Sequence, residues 1–250
     1  MSTPGGSRRA VCAIAIMGKA SNPGRAKTRL VPPLTAEHAA QLNTAFLQDA
    51  VDNVVRAGES ASVAAYVAYG PAGSEPFFRD NLPRDIGLIE CSLPNFGDCL
   101  WLAVSTLLDS GYDAACVLNS DSPTLPTRYL VQASAALSMP GDRVVLGPSE
   151  DGGYYLLGLK RAHRELFRGI DWSTASVCRQ TCDRAARLGL DIDWLDPWYD
   201  VDDGATLARL HRDLGLHSSG APHTRLALRR MMGTGPTAAP WVALPPGAAP

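Results

Sequence analysis

The chain has 250 residues, of which 46% are hydrophobic and 19% are charged, and its formal net charge is −2. This length is enough for one sizeable core, so one domain is expected. The balanced charge gives no broad positive field, which argues against binding to nucleic acid or to an anionic membrane. A small cationic pocket for a phosphate remains compatible with this composition.

The N-terminal segment and the cysteines indicate a cytoplasmic protein. The apolar run at residues 10–17 is too short to span a bilayer, which needs about 20 apolar residues, and too short for the core of a secretory signal. The six cysteines include no C-x-x-C pair. Cys178 and Cys182 have no pair of histidines nearby, so we expect reduced thiols and no zinc site.

Short apolar runs alternate with helical patterns along the chain. Strands are predicted at residues 10–17, 62–69, 86–90, 114–119, 143–146 and 154–159. Helices are predicted at residues 36–56, with Thr35 as N-cap, and at residues 98–108, 127–137, 174–188 and 205–214. This order predicts a Rossmann-like α/β domain, a mostly parallel sheet with helices on both faces. Ligands in such sheets bind beyond the carboxyl ends of the strands.

The composition changes after residue 216. Residues 225–232 could form a short basic helix, and residues 233–250 are rich in Gly, Ala and Pro, with Trp241 as the single aromatic residue. We therefore predict a catalytic domain at residues 1–216 and a disordered or loosely docked tail at residues 217–250. A partner-binding tail anchored by Trp241 is the alternative.

The loop after the first strand is rich in cations. Lys19, Arg25, Lys27 and Arg29 lie within eleven residues that also contain Gly and Pro. Free backbone N–H groups and cations are what a phosphate-binding loop needs. The Walker A pattern is absent. A solvated basic loop is the alternative, but the position at the end of a strand favours phosphate binding.

Acidic residues follow other predicted strands. Asp121 comes directly after the strand at residues 114–119, where a carboxylate can hold Mg²⁺ or Mn²⁺ against phosphate oxygens. Asp200 and Asp202 are two apart, so in extended backbone they share a face, and one or both could complete the metal site. Capping of turns or of the next helix, for which Asp203 is well placed, is the alternative.

Two further loops are candidates for the acceptor site. Asp151 precedes Gly152 and Gly153, which allow a ligand to approach the backbone; a simple hairpin explains the pattern equally well. Trp172 and Ser173 precede a predicted helix and offer an aromatic face and a hydroxyl. An N-cap is an equally good explanation of Ser173.

Five segments together resemble a known family. They are K-T-R-L at residues 27–30, S-D-S-P-T-L-P at 120–126, G-P-x-E-D-G-G-Y-Y at 147–155, D-W-S-T at 171–174 and D-V-D at 200–202. Their order and spacing over residues 11–215 resemble the DUF2064 family of the nucleotide-diphospho-sugar transferase superfamily, which has the GT-A fold. The 2-phospholactate and phosphoenolpyruvate guanylyltransferases are more distantly similar. The chain departs from the family pattern at residues 95–100 and after Asp202.

The residue patterns indicate roles for these residues, and the resemblance implies the same for Lys27, Arg29, Asp121, Asp202, Asp151 and the glycines beside Asp151. Those expected to bind nucleotide are Gly18, Lys19, Lys27, Arg29 and Ser120, with Lys27, Arg29 and Asp121 acting in catalysis. Those expected to hold Mg²⁺ or Mn²⁺ are Asp121, Asp200 and Asp202. Those expected to border the acceptor are Asp151, Gly152, Gly153, Trp172 and Ser173.

The leading hypothesis is a metal-dependent nucleotidyltransferase. A nucleoside triphosphate would be attacked at its α-phosphorus by a small phosphorylated or acidic acceptor, with release of pyrophosphate. A glycosyltransferase that uses a nucleotide sugar is the second hypothesis. A non-catalytic nucleotide-binding protein is the third. The sequence predicts neither the base, nor the acceptor, nor the oligomeric state.

Overall fold

A computed structural model describes residues 12–216 and 220–232 of the chain. The strands are β1 Cys12–Lys19, β2 Val63–Gly70, β3 Gly87–Glu90, β4 Ala114–Leu118, β5 Arg143–Pro148, β6 Tyr154–Leu159 and β7 Asp191–Trp194. The α-helices are α1 Ala36–Ser60, α2 Glu75–Asn81, α3 Phe96–Asp109, α4 Thr127–Ser138, α5 Val177–Arg187, α6 Gly204–Leu216 and α7 Pro222–Met232. Short 3₁₀ turns lie at Thr28–Leu30 and Arg164–Phe167.

The seven strands form one sheet in the order β3-β2-β1-β4-β6-β5-β7. Only β6 runs against its neighbours, pairing antiparallel with β4 and β5, while the other pairs are parallel. The reversal brings the N-terminal end of β6, at Tyr154, to the edge of the sheet where β4 ends. The predicted α/β class with a mostly parallel sheet is confirmed.

Apolar side chains cover both faces of the sheet. Ile14 and Ile16 of β1 pack on one face with Val51 and other residues of α1, and the alternate residues of β1 pack on the other face with α3. This two-sided burial explains why β1 and β4 appear in the sequence as continuous apolar runs. The predicted N-cap of α1 is confirmed, since Thr35 Oγ1 accepts a hydrogen bond of 3.2 Å from His38 N.

Several boundaries differ from the prediction. Helix α2 and strand β7 were not predicted, because α2 has only seven residues and β7 is an edge strand with no buried residue. Strand β1 extends to Lys19. Helix α5 begins at Val177 and not at residue 174, because a turn precedes it in which Ser173 has a positive φ of 63°.

Helix α7 belongs to the folded domain. Asp49 of α1 accepts hydrogen bonds from the backbone N–H groups of His223 (3.0 Å) and Thr224 (2.8 Å), and Leu228 is buried in the cluster that α1 and α6 share. The possible helix at residues 225–232 is present and begins earlier, at Pro222. The prediction of a disordered or loosely docked tail from residue 217 onward is wrong for residues 220–232, because this helix packs on α1. Residues 233–250, with Trp241, lie outside the described residues.

Within residues 12–216 and 220–232, no helix is both long enough and apolar enough to cross a membrane.

Candidate functional site

Two adjoining cavities open at the edge where β1 and β4 end. The first, of about 530 Å³, has Lys19, Arg25, Lys27 and Arg29 in its wall, and we call it the basic cavity. The second, of about 680 Å³, we call the acidic cavity. Its charged residues are Arg29, Asp121, Asp151, Asp200 and Asp202, and its aromatic residues include Phe96, Tyr154 and Trp172. Met17, Phe96, Asn119 and Ser173 line both cavities, together with three charged residues, Asp121, Asp202 and Arg29, which we call the common wall.

Lys27 lines the basic cavity, and its ammonium group lies between the two carboxylates of the common wall. It begins the 3₁₀ turn with a left-handed backbone (φ 49°), and its side chain is only 6% exposed. Its Nζ lies 2.7 Å from Asp121 Oδ1 and 2.8 Å from Asp202 Oδ1, and it donates a hydrogen bond of 2.8 Å to the carbonyl of Val201. Burial alone lowers the pKa of Lys27, but the two carboxylates together outweigh it, and the pKa is raised.

Asp121 and Asp202 are 81 residues apart in the chain, but a backbone hydrogen bond holds their two segments together. Asp121 follows β4, and its carbonyl accepts a hydrogen bond of 2.9 Å from Val201 N. This bond places the 200–202 segment beside the 119–121 turn, so Asp121 and Asp202 converge on one ammonium group. The structure thus brings together Asp121 and Asp202, which the sequence analysis proposed as a metal-binding pair, and places Lys27 between them.

Asp200 occupies a different environment. Its Oδ1 accepts hydrogen bonds from Asn119 Nδ2 (2.7 Å) and Ser122 Oγ (2.6 Å). Burial and the neighbouring Asp121 raise the pKa of Asp200. Among the residues that the structure describes, no three His, Cys, Asp or Glu side chains are grouped as metal ligands. The expected arrangement of three aspartates is therefore not formed, because Asp200 is engaged by Asn119 and Ser122.

Two carboxylates still fit a magnesium ion. Mg²⁺ is held in many phosphate-handling sites by one or two carboxylates together with substrate phosphates and water. Asp121 and Asp202 offer such oxygens at the point where the basic and acidic cavities meet. A metal ion at this point would have to replace the ammonium group of Lys27.

The basic cavity contains most of the predicted nucleotide-binding residues. Arg29 is 72% exposed and donates a hydrogen bond of 2.7 Å to Asp202 Oδ2. Ser120 lines the cavity as well. Gly18 lines neither cavity: it lies within β1, and a Cβ there would meet Phe78 at 2.9 Å, so packing explains the glycine. The expectation that Gly18 belongs to the binding loop is wrong.

Asn43 is a residue of this cavity that the sequence analysis missed. Its Nδ2 donates hydrogen bonds to the carbonyl of Lys19 (3.1 Å) and to Ser21 Oγ (2.9 Å), which holds the start of the cationic loop against α1. The signal in the sequence was an asparagine among the apolar residues of a predicted helix. An amide buried at such a position needs hydrogen-bond partners.

The acidic cavity contains four of the five predicted acceptor residues: Asp151, Gly153, Trp172 and Ser173. Gly152 is the exception. Its φ is +91°, and a Cβ would lie 2.3 Å from the carbonyl oxygen of Ala175, so this glycine is required for loop packing. The hydrogen bond from Gly153 N to Asp151 Oδ1 (2.9 Å) holds the carboxylate in place.

Aromatic rings of this cavity were also missed. Phe96, at the start of α3, is 49% exposed, and its ring lies 5.3 Å from that of Trp172 at an angle of 84°. Tyr154 meets Trp172 at 82°. The signal in the sequence was the position of Phe96, in the segment that departs from the family pattern.

Comparison with known proteins places the chain in a family. The sequence profile of DUF2064, described as an uncharacterized protein conserved in bacteria, matches residues 41–174. The chain belongs to the DUF2064 family. A crystal structure of a protein from Desulfovibrio desulfuricans G20, assigned to the nucleotide-diphospho-sugar transferases, is 28% identical with a TM-score of 0.78, over 88% of this chain and 94% of that one.

Two more distant structures were also matched to this DUF2064 chain, and the first of them shares its fold. CMP:2-keto-3-deoxy-manno-octonic acid synthetase, crystallised with CTP, is 13% identical with a TM-score of 0.52, over 82% of this chain and 98% of that one. Glucosyl-3-phosphoglycerate synthase from Mycobacterium tuberculosis, crystallised with Mn²⁺ and UDP, has a TM-score of 0.48 at 12% identity, over 88% of this chain and 78% of that one. A comparison with curated protein sequences finds no significant match. The fold expected from the sequence agrees with the first two of these structures, and the transferase class agrees with the 28% identical one.

Proposed function

We propose that the chain is a metal-dependent nucleotidyltransferase that binds a nucleoside triphosphate in the basic cavity and a small acceptor in the acidic cavity. One observation carries this proposal: the two cavities share the wall formed by Asp121, Asp202 and Arg29. The α-phosphate of a nucleotide bound in the basic cavity could lie at this wall, within reach of an acceptor in the acidic cavity. Group transfer needs the two reacting molecules to be held side by side in this way.

The cations of the basic cavity would bind the phosphates. Lys19, Arg25 and Arg29 line it, and Arg29 is exposed enough to turn toward a ligand. Arginine suits this role because its planar fork binds two phosphate oxygens at once. Three cations beside Lys27 suit a triphosphate, whose charge exceeds that of a nucleotide sugar.

Asp121 and Asp202 would hold Mg²⁺ or Mn²⁺, which in such enzymes offsets negative charge on phosphate oxygens. Lys27, released from the two carboxylates, would lie beside the same phosphates. Its four-carbon side chain makes such a movement possible without a change in the backbone.

The transfer itself requires no covalent intermediate on the protein. An acceptor oxygen forms a bond to the α-phosphorus, the bond from that phosphorus to the bridging oxygen breaks, and pyrophosphate leaves with the electron pair. The proton of the acceptor hydroxyl passes to water. Arg29 and Lys27 would stabilise charge that develops on the equatorial oxygens.

Product analysis tests the proposal. The protein is incubated with each nucleoside triphosphate, Mg²⁺ and a panel of hydroxyl-bearing acceptors, and release of pyrophosphate is measured. We expect release that requires both an acceptor and the metal. Nucleotide binding without turnover on any donor would instead support a non-catalytic nucleotide-binding protein and would contradict the proposal.

A glycosyltransferase is the second candidate, favoured by the 28% identical structure assigned to the nucleotide-diphospho-sugar transferases. The acceptor oxygen would then bond to the anomeric carbon of the sugar, and a nucleoside diphosphate would leave. The same residues would hold the diphosphate. Release of a nucleoside diphosphate from a nucleotide sugar, with no pyrophosphate from any triphosphate, would favour this candidate.

A further inference from the structure

The acidic cavity has a charge that does not suit the phosphorylated or acidic acceptor expected from the sequence. Four aspartates line it, and Arg29 is the only cationic side chain among its described lining residues. Arg29 is already paired with Asp202. An anionic acceptor would therefore face net negative charge in a confined space, which costs binding free energy.

Two of these aspartates have no cation beside them. Lys27 neutralises part of the charge of Asp121 and Asp202. Asp151, by contrast, accepts a hydrogen bond from Gly153 N and makes none of the ion pairs found in the structure, and Asp200 is bound by the neutral Asn119 and Ser122. A metal ion at the common wall would be held by Asp121 and Asp202 and would leave Asp151 without a cation of its own.

Aromatic rings complete the cavity. Trp172 is met at nearly right angles by Phe96 (84°) and by Tyr154 (82°), and all three rings line the cavity. Rings that meet at such angles form corners, and with carboxylates nearby they are the surroundings in which proteins bind organic ammonium groups.

We propose that the acceptor is a small organic cation, an ammonium compound that carries the hydroxyl to which the group is transferred. Its ammonium group binds between the aromatic corner and Asp151, and its hydroxyl faces the common wall of Asp121 and Asp202. The inference rests on the proposed transferase function for the role of this molecule, but the binding itself can be measured without turnover.

Three ligands of similar size separate the possibilities. Choline is the cationic probe, 3,3-dimethyl-1-butanol is its neutral isostere, and glycerol 3-phosphate is the anionic probe. Binding is measured by calorimetry on the whole protein, alone and with Mg²⁺ and pyrophosphate, which can fill the basic cavity without a base. We expect choline to bind at least about 10-fold more tightly than the neutral isostere, and glycerol 3-phosphate to bind more weakly still.

Matched variants locate the binding. Asp151→Asn removes the charge and keeps an oxygen for Gly153 N, so we expect choline affinity to fall about 5-fold. Glu150→Gln, at the adjacent residue, is the control, because Glu150 pairs with Arg209 and does not line the cavity. Phe96→Leu removes a half-exposed ring with little risk to the fold and is expected to weaken choline binding several-fold.

Several results would overturn the inference: equal affinity for choline and its isostere, tighter binding of glycerol 3-phosphate, or equal effects of Asp151→Asn and Glu150→Gln. Failure of the proposed function is a separate result. It would appear as no binding of Mg²⁺-pyrophosphate and no turnover, whatever the affinity for choline.

Discussion

Lys27 Nζ lies 2.7 Å from Asp121 Oδ1, and the same nitrogen lies 2.8 Å from Asp202 Oδ1. The ammonium group thus occupies the space between the two carboxylates that would bind a metal ion. Lysine and a metal ion would be alternatives at this point, since each would neutralise the same pair of charges. Metal binding should therefore be weakened by the lysine and should require that its side chain move.

Replacing Lys27 tests this relationship. Lys27→Met leaves Asp121 without a cation and leaves Asp202 with only the exposed Arg29, so we expect the metal-free variant to lose about 3 kcal/mol of unfolding free energy. Saturating Mg²⁺ or Mn²⁺ should restore much of this loss and raise the melting temperature of the variant more than that of the wild type.

The measurement is thermal unfolding with and without metal, together with calorimetric titration of Mn²⁺. Arg29→Met is the control, because Arg29 is 72% exposed and its ion pair contributes little to stability. A variant whose stability responds to metal no more than the wild type would show that the two carboxylates do not bind the ion.

Charge-neutral substitutions test the role of the same carboxylates in turnover. We expect Asp121→Asn and Asp202→Asn each to lower kcat about 100-fold or more, since positioned charge at a phosphoryl group is among the largest catalytic contributions. Steady-state assays of product release measure this, and circular dichroism checks the fold.

Asp203→Asn is the matched control for these variants. Asp203 Oδ1 accepts a hydrogen bond of 2.8 Å from Thr206 N at the start of α6, and asparagine can make the same cap. Its kcat should stay within about 2-fold of the wild-type value. An equal loss in all three variants would point to disturbed folding of the 200–206 segment.

Gly152 provides a test of the loop that carries Asp151. At φ +91°, with the Ala175 carbonyl oxygen 2.3 Å from an added Cβ, Gly152→Ala should cost at least about 2 kcal/mol of stability. It should also impair acceptor binding, because the loop must shift. Gly189→Ala, at φ +66° with no atom within 4 Å, is the control and should cost only about 1 kcal/mol. Denaturant unfolding measures both, and equal losses would contradict the packing role.

The contact between α1 and α7 predicts a pH dependence. Burial raises the pKa of Asp49, although hydrogen bonds from Thr224 and His223 oppose the shift. Because the folded chain binds this proton more tightly than the unfolded chain, stability from this group falls as the pH rises from about 4 through the folded pKa.

Asp49→Asn does not titrate, so its melting temperature relative to the wild type should rise as the pH increases from about 4 through the folded pKa of Asp49. Asp52→Asn is the control, because the Asp52 side chain is 39% exposed whereas Asp49 is 3% exposed. A constant difference between Asp49→Asn and the wild type over this range would contradict the prediction.

Much of the fold and of the site was readable in the sequence. The continuous apolar runs of β1 and β4 reflect burial on both faces, which is a local pattern and so survives in a single sequence. The sequence also predicted that the cationic and acidic residues after the strands lie near one another, because parallel strands end at the same edge of a sheet. The sequence contains no clear signal for α2 and β7, whose apolar patterns are short. It indicated a possible helix within α7 but did not predict that this helix packs on α1.

The sequence by itself determined the fold class, the strand ends that carry Lys27 and Asp121, and the membership in DUF2064. Only the tertiary structure decided that Lys27 lies between Asp121 and Asp202, that Asp200 is bound by Asn119 and Ser122, and that the acidic cavity combines aromatic rings with four aspartates. The physical reason is distance along the chain. Hydrophobic periodicity is set by neighbouring residues, whereas the charge and shape of a site depend on side chains that meet only after the sheet has assembled.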